Sequence, residues 1–255
     1  MSEDAPELRL GDWREVLADV EQVDAVICDP PYSARIEKGQ RSGKRVQEGR
    51  GDAWKGGRNT TIHYGSLSRD DVAAFVNHWA PRVRRWFVMF GDHYTVPWAL
   101  EALELAGLYT FAPVVWVKTN PAPRFVCDGP ASGVEYIAIA RPRGQHVKRY
   151  RPGHYYGAGG SAFSGAVVTG GKPEWLMRAV VRDYSEPGDL IVDPFGGGAS
   201  TLRAAVIEGR RAIGAEIDPE THAKAVERLA QPYTPCVQFQ RIEGEQAGLF
   251  GEVGP

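Results

Sequence analysis

The chain has 255 residues, 43% of them hydrophobic, with 30 Lys or Arg against 32 Asp or Glu and a formal net charge of -2. That length suffices for one large α/β domain or a domain with an insertion. No apolar run approaches the roughly 20 residues that cross a bilayer, and the acidic start (Ser2, Glu3, Asp4) lacks the basic flank and apolar core of a signal peptide, so a soluble, cytoplasmic protein is expected. Cys28, Cys127 and Cys236 show neither CxxC nor Cys/His spacing, which argues against a disulfide framework and against a metal site.

Leu8-Arg9-Leu10, followed by Gly11-Asp12, reads as a short strand, and Trp13 to Ala18 as a first helix. Val23 to Cys28 is an apolar run of the kind that forms a buried parallel strand, and it ends in Asp29-Pro30-Pro31-Tyr32. Residues 33–67 lack apolar periodicity and predict a long flexible loop. Between Ser33 and Arg58 the basic residues Arg35, Lys38, Arg41, Lys44, Arg45, Arg50, Lys55 and Arg58 outnumber Glu37, Glu48 and Asp52.

Ser68-Arg69-Asp70-Asp71 resembles a capping box, and Val72, Phe75, Val76 and Trp79 recur at helical spacing. Trp86 to Phe90 predicts a buried strand; Pro97 opens a helix through Leu100 and Leu103 that Gly107 is placed to end. Val114 to Val117 and Val134 to Ala140 predict an antiparallel pair at one edge of the sheet. Residues 141–171 are rich in Gly, Arg, His and Tyr without a clear period, and read as an insert rather than a second core.

Pro173 starts a helix carrying Leu176, Val180 and Tyr184, and Pro187-Gly188 turns the chain into a strand from Leu190 to Val192 that ends in Asp193-Pro194-Phe195 and Gly196-Gly197-Gly198. A helix through Leu202 and Val206, a strand from Ala212 to Ile217 and a helix from Pro219 to Leu229 complete a β-α-β-α unit. Residues 1–235 thus form a single domain, and 236–255 a tail.

Ligands of open α/β sheets sit beyond the carboxyl ends of the strands, where both Asp29 and Asp193 fall. A glycine-rich turn between strand and helix lets a backbone approach a ligand closely, and Glu216, twenty positions after Gly196, can accept both ribose hydroxyls of an adenosine-containing cofactor. Thr201 stands where a dinucleotide fingerprint wants its third Gly or Ala. Taken alone, the turn is also explained by tight strand–helix packing, and Asp-Pro-Pro-Tyr by a plain strand-ending turn. A nicotinamide oxidoreductase is a distant further reading.

Lys172-Pro173-Glu174-Trp175-Leu176, Pro187-Gly188-Asp189, Asp193-Pro194-Phe195-Gly196, Ala204-Ala205, Gly209-Arg210-Arg211, Gly214-Ala215-Glu216 and Arg228-Leu229 together resemble the S-adenosylmethionine half of amino-directed DNA methyltransferases. The family usually has Thr-Gln-Lys-Pro and Gly-Thr where this chain has Gly170-Gly171-Lys172-Pro173 and Ala199-Ser200; Ser200 keeps the hydroxyl. With Asp-Pro-Pro-Tyr ahead of the glycine turn, the order resembles the permuted beta class. The resemblance implies the S-adenosylmethionine-dependent methyltransferase fold: a doubly wound, mostly parallel sheet with an antiparallel edge hairpin and a small inserted recognition segment. It implies cofactor contacts from Asp12, Lys172, Asp193, Phe195, Gly196, Gly198, Ser200 and Glu216, with Asp12 on the adenine. Asp29, Pro30, Pro31 and Tyr32 become the catalytic residues.

An exocyclic amine is a poor nucleophile because its lone pair is delocalised into the ring. A carboxylate and a backbone carbonyl that accept its two N–H groups, here Asp29 and Pro30, localise that pair, while Tyr32 offers a ring on which an extruded base stacks. In this family Asp-Pro-Pro-Tyr usually accompanies adenine N6 methylation and Ser-Pro-Pro-Tyr cytosine N4 methylation, so adenine is expected, with cytosine N4 as the alternative. Other readings are a catalytically silent DNA-binding module and an RNA or protein methyl acceptor. Ring-carbon methylation needs a thiol, and Cys236 in the tail reads as incidental.

Double-stranded DNA is the expected partner. Arg35, Lys38, Arg41, Lys44 and Arg45 of the basic loop, and Arg141, Arg143, Lys148 and Arg149 of the insert, are its candidate contacts. Gln246-Ala247-Gly248-Leu249-Phe250 resembles the peptide with which bacterial proteins bind the sliding clamp, anchored by Gln246, Leu249 and Phe250. The resemblance also implies a homodimer, and an orphan or phage-like enzyme is expected because no nuclease segment accompanies the motifs.

Overall fold

The computed structural model describes residues 5–33, 65–121, 130–145, 149–159 and 171–233. Arg35, Lys38, Arg41, Lys44 and Arg45 of the basic loop, Lys148 of the insert, Cys127, Cys236, and the tail residues Gln246, Leu249 and Phe250 lie outside the described residues.

In chain order the strands are β1 (Glu7–Leu10), β2 (Val23–Cys28), β3 (Val83–Gly91), β4 (Tyr109–Thr110), β5 (Val114–Lys118), β6 (Val134–Arg141), β7 (His154–Gly157), β8 (Leu190–Asp193) and β9 (Arg211–Glu216). The helices are α1 (Trp13–Val16), α2 (Arg69–Trp79), α3 (Thr95–Leu105), α4 (Glu174–Tyr184), α5 (Ser200–Ile207) and α6 (Pro219–Ala230). One sheet runs β1-β9-β8-β2-β3-β6-β5-β7, with β4 also paired to β6. Among the described strands β6 alone runs against the rest: it is antiparallel to β3, β4 and β5, while every other pairing is parallel. The carboxyl ends of the other strands and the amino end of β6 therefore share one edge.

From β2 the chain moves to β3 on one side, and from β8 to β9 on the other. The central β2–β8 pair is consequently a topological switch point, where a crevice opens at the carboxyl edge. Side chains of alternating strand positions fill two cores. Phe87, Met89, Val26 and Val192 pack with Trp13, Phe75, Trp79 and Leu103 on one face, and Trp86, Phe90, Ile137 and Ile191 pack with Leu176, Tyr184 and Leu202 on the other. Among the described residues no helix is long and apolar enough to cross a membrane.

Most elements match the sequence pattern, and the differences have local causes. The Ser68 capping box forms as expected, with Ser68 and Asp71 each accepting from the other's backbone N–H. Helix α3 begins at Thr95 rather than Pro97, because Asp92 accepts from the N–H groups of Tyr94 and Thr95 and so gathers the first turn, where a proline is tolerated. The β5–β6 antiparallel pair is present but does not form the edge. Strand β7, from the supposedly unpatterned insert, adds to β5 and takes that place. Its short alternation buries Tyr155 and exposes Tyr156.

Candidate active site at the carboxyl edge of the sheet

The tetrapeptide leaves the sheet where β2 runs out between β8 and β3. Asp29 carries two unlike oxygens. Oδ2 is held by the Lys172 ammonium, which also donates to the Tyr32 hydroxyl at 3.2 Å and lies 3.2 Å from Glu135 Oε2. Oδ1 is buried and has no hydrogen-bond partner. The Tyr32 hydroxyl donates to Glu135 Oε2 at 2.7 Å, and Lys118 approaches Glu135 Oε1 at 2.5 Å. The rings of Tyr32 and Phe90 flank the ammonium, with centroids 5.4 and 5.3 Å away.

Electrostatics in this cluster follow from burial set against pairing. Burial pushes Asp29 above the usual carboxylate range, opposed by Lys172 and aided by Glu135. Burial disfavours the charge of Glu135 as well, but Lys172 and Lys118 outweigh it and bring that carboxyl down to about 2. For Lys172 burial is likewise outweighed, here by Asp29 and Glu135, so its pKa is raised and it stays charged. Burial, with Glu135 and Asp29, drives the Tyr32 phenol well up, so it remains a donor.

Just beyond Tyr32 the backbone is pinned. Ser33 N donates to Asp92 Oδ2 at 2.8 Å, Leu67 N donates to the Tyr32 carbonyl at 3.2 Å, and Ser33 bridges to Leu67. Both stems of the basic segment therefore meet beside Tyr32.

The second strand end builds a cradle. Asp193 is buried, accepts from Phe195 N at 3.0 Å and from the Thr201 hydroxyl, and burial outweighs both bonds to push its carboxyl up to about 7. Gly196 N donates to Ala215 O at 2.7 Å, and a Cβ at Gly196 would stand 2.7 Å from Leu8 Cδ1 and 3.1 Å from Ala215 O, which is why the turn needs glycine there. Gly197, at φ 49, donates to Glu216 Oε2 at 2.8 Å, while Asp218 N donates to Oε1 at 2.8 Å. Each Glu216 oxygen keeps a lone pair for a further donor. Ala199 holds a left-handed φ of 57 although it is not glycine, a conformation kept by complete burial. Arg228, buried on α6, donates to Gly198 O and to Ser200 Oγ, both at 2.8 Å, and so clamps the turn from behind. Asp12 caps α1 through Arg14 N at 2.9 Å.

A cavity of about 230 Å³ joins the two strand ends, and Asp12, Lys172, Asp193, Phe195, Gly196, Gly198, Ser200 and Glu216 line it together with Asp29 and Pro31. Pro30 is buried between the lining residues Asp29 and Pro31, and Tyr32 reaches the cavity through Lys172. Arg141, Arg143 and Arg149 are not brought there. Because β6 runs away from the site, Arg141 ends at the opposite edge of the sheet, stacked 5.2 Å from the Tyr109 ring centre. Arg143 donates to Gly107 O at 3.2 Å and Arg149 lies 3.5 Å from Glu186, ahead of β8 at that same far edge. Sequence reasoning missed Glu135, Lys118, Asp92 and the clamping role of Arg228. A charge at either end of an otherwise apolar strand was the available signal for the first two.

A DNA methylase family model matches residues 164–227. The Type II methyltransferase M.XycI of Xanthomonas campestris pv. cyanopsidis is 30% identical over 148 residues, which make up 52% of this chain and 49% of that protein. The chain spans about half the length of such curated relatives. The crystal structure of an M1.HpyAVI–SAM complex superposes with a TM-score of 0.64 at 20% identity, covering 88% of this chain and 99% of that one. PvuII DNA methyltransferase, described as cytosine-N4-specific, gives a TM-score of 0.60 at 17% identity over 89% of this chain and 87% of that one. At these identities the structural likeness is one of fold, that of S-adenosylmethionine-dependent DNA methyltransferases, and the DNA methylase family match falls on the segment that carries the glycine turn and Glu216.

Proposed function

We propose that this protein transfers a methyl group from S-adenosylmethionine to the exocyclic N6 amine of adenine in double-stranded DNA. The observation that carries the reading is Asp29 Oδ1, a buried acceptor without a partner on a residue that lines the same cavity as the glycine turn. Leaving such an atom unsatisfied costs about 1–3 kcal/mol, which a ligand N–H would recover.

The cradle suits the cofactor. Glu216 would take the ribose hydroxyls through its remaining lone pairs, Asp12 the adenine, and Phe195 an apolar wall, while Asp12, Asp29, Asp193 and Glu216 give the cavity an acidic lining against the cations of Arg14 and Lys172. When bound, the cofactor supplies an electrophilic methyl on a sulfonium.

Asp29 Oδ1 and the Pro30 carbonyl accept the two amine N–H groups, localising the nitrogen lone pair. Tyr32, its hydroxyl tethered to Glu135, presents a fixed ring for the extruded base. Once methylated, the nitrogen must lose a proton, and Asp29, its proton affinity raised by burial, takes it at Oδ1. The stems of the basic segment at Ser33 and Leu67 support phosphate contacts beside the cavity mouth.

Adenine is favoured because Asp29 stands where the family's cytosine enzymes usually have Ser. The shared fold with a cytosine-N4-specific enzyme keeps cytosine N4 as the second reading. Incubation with labelled cofactor and DNA, followed by nucleoside analysis, tests both. Wild type is expected to yield N6-methyladenine, and Asp29→Ala to lose about a thousandfold in rate. Equal transfer by the two proteins defeats the mechanism; label in N4-methylcytosine changes the base and spares the chemistry.

A further inference from the structure

We infer that Glu135 is a positioning residue for methyl transfer: it occupies one donor of Lys172 and fixes Tyr32, so that one oxygen of Asp29 stays open to the target amine. This rests on the reading proposed above. Glu135 reaches the site because β6 runs against its neighbours and delivers its amino end to the carboxyl edge. Both of its oxygens are engaged, Oε1 by Lys118 and Oε2 by Tyr32 and Lys172.

The donor count of Lys172 explains what this achieves. An ammonium has three N–H groups. Those of Lys172 face Asp29 Oδ2, the Tyr32 hydroxyl and Glu135 Oε2. With all three directed, none is left for Asp29 Oδ1, which stays bare although it belongs to the same carboxylate. Remove the Glu135 carboxylate and Lys172 gains an undirected N–H within reach of an unfilled acceptor, which it would cover.

Charge works in the same direction. Lys172 and Lys118 are matched by Asp29 and Glu135, so the cluster is neutral. Without Glu135 it carries one net positive charge, beside a cavity that must accept a sulfonium and a nitrogen becoming cationic. That penalty falls on the bound cofactor and on the transferring methyl more than on DNA binding.

The variant to test is Glu135→Gln in the full chain, with kcat, KM and the pH profile of methyl transfer. The expected fall in kcat is about ten- to a hundredfold, the scale on which groups that orient a reacting side chain act. KM for DNA should stay near wild type, while KM for the cationic cofactor should rise with the added positive charge. The groups facing Asp29 are Lys172, Glu135 and Lys118, with Asp193 across the cavity and Tyr32 alongside. Losing the like charge of Glu135 lets Asp29 ionise more readily, so the acidic limb should move to lower pH, a shift that mere loosening would not produce. Glu135→Asp, which restores the charge, should return the limb toward its wild-type position even where Glu135→Gln folds poorly. A wild-type kcat and profile in Glu135→Gln, with Asp29→Ala inactive, overturns this inference alone. Wild-type protein that methylates no DNA overturns the parent reading and this one with it.

Discussion

Asp193 is a carboxyl kept out of water at the end of β8, with its pKa raised from 3.8 to about 7. A group that binds its proton more tightly when folded stabilises the fold most below its unfolded pKa. That stabilisation is lost as pH climbs from about 4 through about 7. The gap of about three units corresponds to roughly 4 kcal/mol at most. Asp193→Asn keeps an oxygen for Phe195 N and removes the titration. Its melting temperature relative to wild type should rise between pH 5 and pH 8, as read by thermal scans at matched ionic strength. A difference that stays constant with pH would mean that Asp193 does not titrate in this window. The same residue lines the cavity, so the gain in stability should accompany weaker cofactor binding.

At the scale of elements, the contact between β8, β9 and α5 decides how closely the cradle packs. Gly214 in β9 lies opposite Asp193, and a Cβ there would stand 2.7 Å from Asp193 O and 2.9 Å from Leu202 Cδ1. The first of these is backbone and cannot turn aside. Gly214→Ala should cost about 1–3 kcal/mol, measured by denaturant titration, and an unchanged midpoint would show that the strands separate freely.

The same elements show what could be read beforehand. Strands β2 and β8 are buried on both faces, so apart from Asp24 near the start of β2 they appear as apolar runs, and the acids that close them mark the site without any knowledge of pairing. Strand β7 was hidden because four residues, His154 to Gly157, are too few to display a period. The position of β6 beside β3 depends on pairing between distant segments, which no local pattern encodes. Glu135 and Lys118 were therefore visible only as stray charges, and Arg228 only as one more basic residue on a polar helix.

For the whole molecule, α1 to α3 cover one face of the sheet and α4 to α6 the other, and the cavity opens where both layers stop. Its walls come from β1, β2, β8, β9 and the turns after them, so a ligand there braces segments that otherwise meet only through the sheet. S-adenosylmethionine at a hundred times its dissociation constant should add about 2.7 kcal/mol to stability. In a domain of this size that raises the melting temperature by roughly 5–10 °C. Gly196→Ala should lose most of the increase, and a wild-type protein indifferent to the cofactor would remove the cradle from the proposal.

Strands β1 and β9 lie side by side, and His222 of α6 contacts the Leu8 carbonyl at 3.0 Å. The first and last described strands thus adjoin, and the connections between elements could be cut at other points of the sheet. A gene opened at another strand would trace the same object with its motifs in rotated order. Which acid comes first along the chain then has no bearing on the chemistry they share.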